Sequence, residues 1–107
     1  MLRIETRGRV TGRPAHAAVG FVDRPDGSLV VAAGSPDADW ARNLLAHGTC
    51  RVVIADDAWD AEAEPLDGPS HAAAVRDLIL RYGTPAEGLG HGPSFALRRR
   101  RDEGVRG

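Results

Sequence analysis

Residues 6–14, which read Thr-Arg-Gly-Arg-Val-Thr-Gly-Arg-Pro, constrain the fold of this chain more than any other segment. They lie between two stretches with strand-like patterns, and their two glycines permit a tight turn and close approach of a ligand to the backbone. A β-hairpin is therefore predicted here. An arginine can donate two N–H groups to one phosphate or carboxylate, so this hairpin either holds an anionic ligand or is a solvated turn with scattered charge.

Length and composition indicate one soluble globular domain. The chain has 107 residues, of which 42% are hydrophobic and 27% are charged. The net charge of −1 gives no reason to expect a nucleic-acid partner. We find no apolar run long enough for a transmembrane segment and no signal-peptide pattern at the N-terminus. Because Cys50 is the only cysteine, no internal disulfide can form, which is typical of a cytoplasmic protein.

The first half of the chain predicts three strands and a helix. Residues 2–6 alternate apolar and polar side chains, residues 15–22 form a second strand, and the turn at residues 24–27 leads to an apolar strand at 28–33 that is covered on both faces. In the helix that follows, Asp37 or Asp39 would be the N-cap, Trp40, Leu44 and Leu45 would form the apolar stripe, and Gly48 would end it.

The second half predicts a hairpin, a helix and a short final strand. Strands at residues 50–55 and 59–66 are followed by a helix whose apolar face is Val75, Leu78, Ile79 and Tyr82, and the last strand covers residues 94–97. The order β-β-β-α-β-β-α-β predicts an α+β, mainly β fold, with an antiparallel sheet curled into a small barrel. Residues 1–97 would form a single domain, and residues 98–107 a disordered, solvated basic tail.

Two segments carry a resemblance to a known family. The first contains Gly8, Arg9, Thr11, Gly12, Arg13 and Pro14, and the second contains Trp40, Asn43, Leu44 and Ala46 before a strand with Val52. Together they resemble the deazaflavin-dependent nitroreductase family, a branch of the split β-barrel flavin-binding proteins. The chain departs from that pattern at Val10, Ala15, Ala41 and Gly48, where the family usually has lysine, arginine, tyrosine and proline.

The resemblance implies a split β-barrel of about six antiparallel strands with two helices, often dimeric, that binds the deazaflavin coenzyme F420. The reduced coenzyme would transfer a hydride to a small-molecule electron acceptor, either a quinone, a nitro compound or an activated alkene. The implied cofactor-binding residues are Arg9, Thr11, Gly12, Arg13, Ala33, Gly34, Ser35 and Trp40. We expect Asn43 to brace the helix or a nearby loop.

Three side chains are candidate proton donors, namely Ser35, Tyr82 and His16, although residues of these types are more often structural. The four histidines do not have metal-ligand spacing, so no metal site is predicted. Two alternatives stay open because several basic residues of the family are missing. The barrel could bind FMN, or it could be a non-catalytic dimeric ligand-binding or interaction domain.

Overall fold

The computed structural model describes residues 1–83 and 89–100, which form one curled sheet of seven antiparallel strands and two helices, a split β-barrel. The strands are β1 Leu2–Arg7, β2 Pro14–Val19, β3 Val22–Asp23, β4 Leu29–Ala32, β5 Thr49–Ile54, β6 Asp57–Leu66 and β7 Ser94–Arg99, and the helices are α1 Asp39–Ala46 and α2 Gly68–Tyr82. The strand order is β2-β1-β5-β6-β7-β4-β3, so the two edge strands are neighbours in the chain. The fold class and the barrel predicted from the sequence are confirmed.

The barrel core consists of alternate side chains from the strands and is closed by α1. Ile4, Val31, Val52 and Phe95 are fully buried, and the Phe95 ring packs against Trp40 of α1 with 6.0 Å between the ring centroids. On the opposite face of β4, Val30 and Ala32 pack with Ala74 and Leu78 of α2. Strand β4 is therefore buried on both faces, as its continuous apolar sequence predicts.

The second predicted strand is divided in two, which gives seven strands instead of about six. The Phe21 N–H donates to the Tyr82 hydroxyl oxygen at 3.1 Å, and this hydroxyl donates to the Phe21 carbonyl at 3.1 Å. Both backbone groups of Phe21 are thus used by a side chain of α2 and are lost to the sheet ladder. Gly20 allows the approach, since a Cβ there would lie 2.9 Å from the Tyr82 ring.

The turn between β3 and β4 has the predicted hairpin geometry. Gly27 has φ of 89°, and its N–H donates to the Arg24 carbonyl at 2.9 Å. Ser28 donates its hydroxyl and its backbone N–H to the Asp26 carboxylate, at 2.7 and 2.9 Å. These two hydrogen bonds lower the pKa of Asp26 to about 2.

Both helices differ in detail from the prediction. Ala38 is the N-cap residue of α1, with no capping bond from a side chain, so neither Asp37 nor Asp39 caps this helix. Leu45 was expected on the apolar stripe but is 56% exposed. In α2 the fully buried positions are Ala74 and Leu78, while Val75, Ile79 and Tyr82 are half-buried. Within the described residues, no helix is long and apolar enough to cross a membrane.

The last strand is longer than predicted. Strand β7 continues through Arg98 and Arg99, which pair with Glu62 and Ala61 of β6, so the expected disordered tail does not begin at residue 98. In this extension Arg98 forms ion pairs with Asp26 and Glu64, and the Arg99 guanidinium lies over the Trp59 ring, 4.5 Å from its centroid. The other residues of the expected tail, 101–107, lie outside the described residues, as do residues 84–88.

Candidate functional site

The glycine–arginine segment forms the predicted hairpin between β1 and β2. The Gly8 N–H donates to the Arg13 carbonyl at 2.8 Å, and the Gly12 N–H donates to the Gly8 carbonyl at 3.0 Å. Gly12 has φ of 77°, a left-handed conformation that favours glycine. The Gly12 N–H was expected to bind a ligand, but it is used inside the turn.

Asn43 of α1 is hydrogen-bonded to the hairpin and to β1. Its side chain is 2% exposed, and its Oδ1 accepts from the backbone N–H of Arg9 at 3.1 Å and from Arg9 Nη1 at 2.9 Å. Its amide nitrogen donates to the hydroxyl of the buried Thr6 at 3.1 Å. Asn43 thus joins β1, the hairpin and α1, and the expectation that it braces a nearby loop is confirmed.

Arg9 faces α1. Besides the bond to Asn43, its Nη2 lies 3.4 Å from the Asp39 carboxylate. The guanidinium was expected to bind an anion, yet in this structure it is partnered within the protein. By contrast, Arg13 and Thr11 are exposed, and the Thr11 hydroxyl oxygen accepts from the Arg13 N–H at 3.3 Å.

The end of β4 forms a second part of the candidate site. Ala33 is buried, whereas Gly34 and Ser35 are exposed. Near Gly34 the closest atom to an added Cβ would be Leu89 Cδ2 at 4.0 Å, so the backbone there is open. The Ser35 hydroxyl oxygen accepts from the Asp37 N–H at 3.1 Å, and the chain then enters α1. Helix α1 therefore connects this segment to the hairpin, because the same helix carries Asp39 and Asn43.

Residues 89–93 support the β4 end, and sequence reasoning missed them. The Ala33 N–H donates to the Pro93 carbonyl at 2.9 Å. A Cβ on Gly92 would collide with the Ala33 carbonyl oxygen and would lie 2.9 Å from the Ser35 carbonyl oxygen, so only glycine fits. The glycine in this segment permits close packing of two backbones.

The remaining predicted residues are distributed over the fold. Trp40 is 9% exposed and belongs to the barrel core. Both hydrogen-bonding roles of the Tyr82 hydroxyl are satisfied by Phe21. His16 lies on the exposed face of β2, 3.4 Å from the Glu5 carboxylate. Neither His16 nor Tyr82 lies on the hairpin or at the end of β4. Among residues 1–83 and 89–100, no group of three or more metal-ligating side chains is assembled.

Cys50 is a residue of β5, and its side chain is buried in the barrel core. Burial raises the pKa of its thiol to about 12, with a smaller contribution from the Asp60 carboxylate. A thiol with this pKa is protonated at neutral pH and is a poor nucleophile. The structure therefore does not support a role for Cys50 as a nucleophile.

Several solved structures share this fold. The chain is similar to HutZ, the heme storage protein of Vibrio cholerae, with a TM-score of 0.78 and 22% identity over 94% of this chain and 82% of that one. An F420-H2 dependent reductase, FDR-A, has a TM-score of 0.75 and 22% identity over 91% of this chain and 92% of that one. A third structure, described as a domain-swapped dimer, has a TM-score of 0.74 and 22% identity over 91% of this chain and 78% of that one. At such identity these similarities establish the fold alone.

The sequence itself matches a family more specifically. No curated protein is similar enough to be matched with this chain. Residues 1–84, however, match the family described as F420H(2)-dependent quinone reductase. This match includes the hairpin, the end of β4 and both helices, and it confirms the resemblance to deazaflavin-dependent reductases. The chain belongs to the F420H(2)-dependent quinone reductase family.

Proposed function

We propose that this protein is an oxidoreductase that binds the reduced deazaflavin coenzyme F420 and passes a hydride to a quinone, a nitro compound or an activated alkene. The observation that carries the proposal is the family match over residues 1–84, which includes every part of the candidate site except residues 89–93. The coenzyme, when bound, supplies the hydride. The protein's contribution is to hold the coenzyme and to shape the place where the acceptor binds.

The donors that this chain leaves available fit an anionic coenzyme. Arg13 and Thr11 are exposed on the hairpin, and Arg13 forms no ion pair among the described residues. We assign the phosphate or acidic tail of the coenzyme to these two side chains. Arg9 has a different role in this proposal, because its guanidinium is already hydrogen-bonded to Asn43 and sets the position of the hairpin.

The end of β4 fits a flat ring. Gly34 presents open backbone, and the Ser35 hydroxyl keeps a proton to donate while its oxygen accepts from Asp37. Of the three candidate proton donors, we retain Ser35 because it alone lies at the exposed end of β4. Trp40 would contribute indirectly, because its ring packs against Phe95 and so keeps α1 in place on the sheet.

We further propose that the protein is a homodimer of the cytoplasm. One structure of the same fold is described as a domain-swapped dimer. Leu80, Leu45 and Val10 are 78%, 56% and 87% exposed, which leaves apolar surface for a second copy. The single cysteine is compatible with a reducing compartment.

Fluorescence titration of the purified protein with F420, with FMN in parallel, tests the proposal. We expect saturable binding of F420 and a weaker or absent response to FMN. Binding of FMN alone would move the protein to the flavin-dependent alternative. Binding of neither would refute a coenzyme-dependent reductase and favour the non-catalytic interaction domain.

The variant Arg13→Ala tests whether Arg13 binds the anionic part of the coenzyme. Arg42→Ala, on an exposed face of α1, is the matched control. Loss of one charge-assisted contact should weaken F420 binding by about 1.5–3 kcal/mol in the Arg13 variant. The Arg42 variant should keep the wild-type dissociation constant. Equal affinity in both variants would remove Arg13 from the site.

A further inference from the structure

A polar cleft of about 420 Å³ lies on the outer face of the sheet, beside the hairpin and away from α1. Glu5, Arg51 and Asp60 are direct neighbours across β1, β5 and β6, so their side chains share one face. Ile4 and Val52, on the opposite face, are in the barrel core. Arg7 follows Glu5 by two residues and therefore points to the same outer side.

Three arginines line this cleft, namely Arg7, Arg51 and Arg100, and we refer to it as the arginine cleft. Arg100 is held there by its backbone N–H, which donates to the Asp60 carbonyl at 2.8 Å. Thr49 and Gly12 also line the cleft, so it borders the same hairpin that carries Arg9 and Arg13. Against these three positive charges the lining has two carboxylates, Glu5 and Asp60.

The internal ion pairs around the cleft are weak. Arg51 lies 3.6 Å from Asp60, with side-chain exposures of 50% and 65%, and Arg100 lies 3.9 Å from Glu62. Glu5 is 3.4 Å from His16. Exposed pairs at these distances contribute little to stability, so an incoming anion competes with them at low cost. Arg7 has no carboxylate within 4.0 Å among the described residues, and its guanidinium is fully available.

The two sides of the hairpin therefore differ. On the side of α1, the Arg9 guanidinium is hydrogen-bonded to the buried Asn43 at 2.9 Å and lies 3.4 Å from the exposed Asp39 carboxylate. On the other side, Arg7 faces a polar cleft with two further arginines. An anionic group that reaches the hairpin therefore meets a guanidinium unpaired within the described part of the chain, that of Arg7, on one side and the hydrogen-bonded guanidinium of Arg9 on the other.

We propose that the arginine cleft is an anion-binding site, in which Arg7, Arg51 and Arg100 bind a ligand with several carboxylate or phosphate groups. The Thr49 hydroxyl is a further donor. Such a ligand could be a free multivalent anion or the acidic tail of the bound coenzyme. The second source rests on the proposed function, whereas the site itself does not.

Calorimetric titration with citrate and with inorganic phosphate at low ionic strength tests the site. The double variant Arg7→Gln/Arg100→Gln should bind citrate at least tenfold more weakly than the wild type. The control Arg3→Gln/Arg42→Gln removes the same net charge outside the cleft and should keep the wild-type affinity within about twofold. Thermal melting is the control that both variants are folded. No binding of either anion by the wild type, or equal loss in the two variants, would overturn the proposal.

Titration with F420 and with a tailless deazaflavin, each with and without citrate, identifies the source. If citrate weakens the binding of F420 but not that of the tailless deazaflavin, the cleft holds the acidic tail. If citrate and F420 bind independently, the cleft takes a free anion. If citrate binds and neither deazaflavin does, the proposed function fails while the anion site is retained.

Discussion

At the residue scale, Asn43 does more than any arginine to fix the relative positions of the hairpin, β1 and α1. It is buried, and it connects Thr6, the Arg9 backbone and the Arg9 guanidinium through three hydrogen bonds. Removal of a buried partner leaves the other groups without hydrogen bonds in a place that water does not reach easily, which costs more than the net value of the bonds.

We expect Asn43→Ala to lower the free energy of unfolding by about 2–3 kcal/mol, because the Thr6 hydroxyl and the Arg9 N–H lose their partner. Urea denaturation measures the change. Arg42→Ala, on the adjacent exposed position of α1, is the control and should change stability by less than about 0.5 kcal/mol. Equal stability of the two variants would show that the hairpin does not depend on this side chain.

Cys50 makes the stability depend on alkaline pH. Its pKa is raised from 9.0 to about 12, so the folded state favours the neutral thiol. The stabilising contribution is complete below pH 9.0 and is lost as the pH rises toward about 12, where the folded protein also ionises.

At pH 8 the folded protein should react with iodoacetamide far more slowly than the protein in urea. The difference of 3 between 12 and 9.0 corresponds to a ~10³-fold smaller thiolate fraction. Mass spectrometry follows the labelling, and Cys50→Ala gives the background from other residues. Comparable rates in the two states would contradict the buried, protonated thiol.

At the scale of elements, the segment at residues 89–93 positions the end of β4. It contacts Ala33 and Ser35 through Gly92 and Pro93, and it contacts α2 through His71. The His71 ring also lies 2.7 Å from the Ser94 hydroxyl at the start of β7. The open backbone at Gly34 therefore depends on two elements that are distant in sequence.

Gly92→Ala should lower the free energy of unfolding by about 1–3 kcal/mol and weaken F420 binding, since the new methyl group meets the carbonyl oxygens of Ala33 and Ser35. Gly90→Ala is the matched control, because an added Cβ there has no atom within 4 Å. Thermal melting and the F420 titration measure the two effects. If the Gly92 and Gly90 variants behave alike, the segment does not shape the β4 end.

At the scale of the whole molecule, the two edges of the curled sheet are β2 and the two-residue β3. An open edge and exposed apolar side chains favour association with a second copy. Light scattering coupled to size-exclusion chromatography should give twice the 11.4 kDa mass of one chain. The mass of a single chain at micromolar concentration would rule out the proposed homodimer.

The sequence by itself determined the periodic features of this protein. Strand alternation, the turn at residues 24–27, the doubly buried β4 and the glycine–arginine hairpin all follow from local rules of backbone freedom and burial. The two family-like segments in the right order were enough to predict the deazaflavin family, because each is a contiguous stretch whose residue pattern can be read directly from the chain.

Only the tertiary structure decided how those stretches meet. The pairing of Arg9 with Asn43, separated by 34 positions, and of Tyr82 with Phe21, separated by 61, depends on α1 and α2 being packed on the sheet. Hydrogen bonds of this kind have no local periodicity, so the chain pattern does not reveal them. They are the reason that Arg9 braces the hairpin, that one predicted strand becomes two, and that Arg7 is left facing an open cleft.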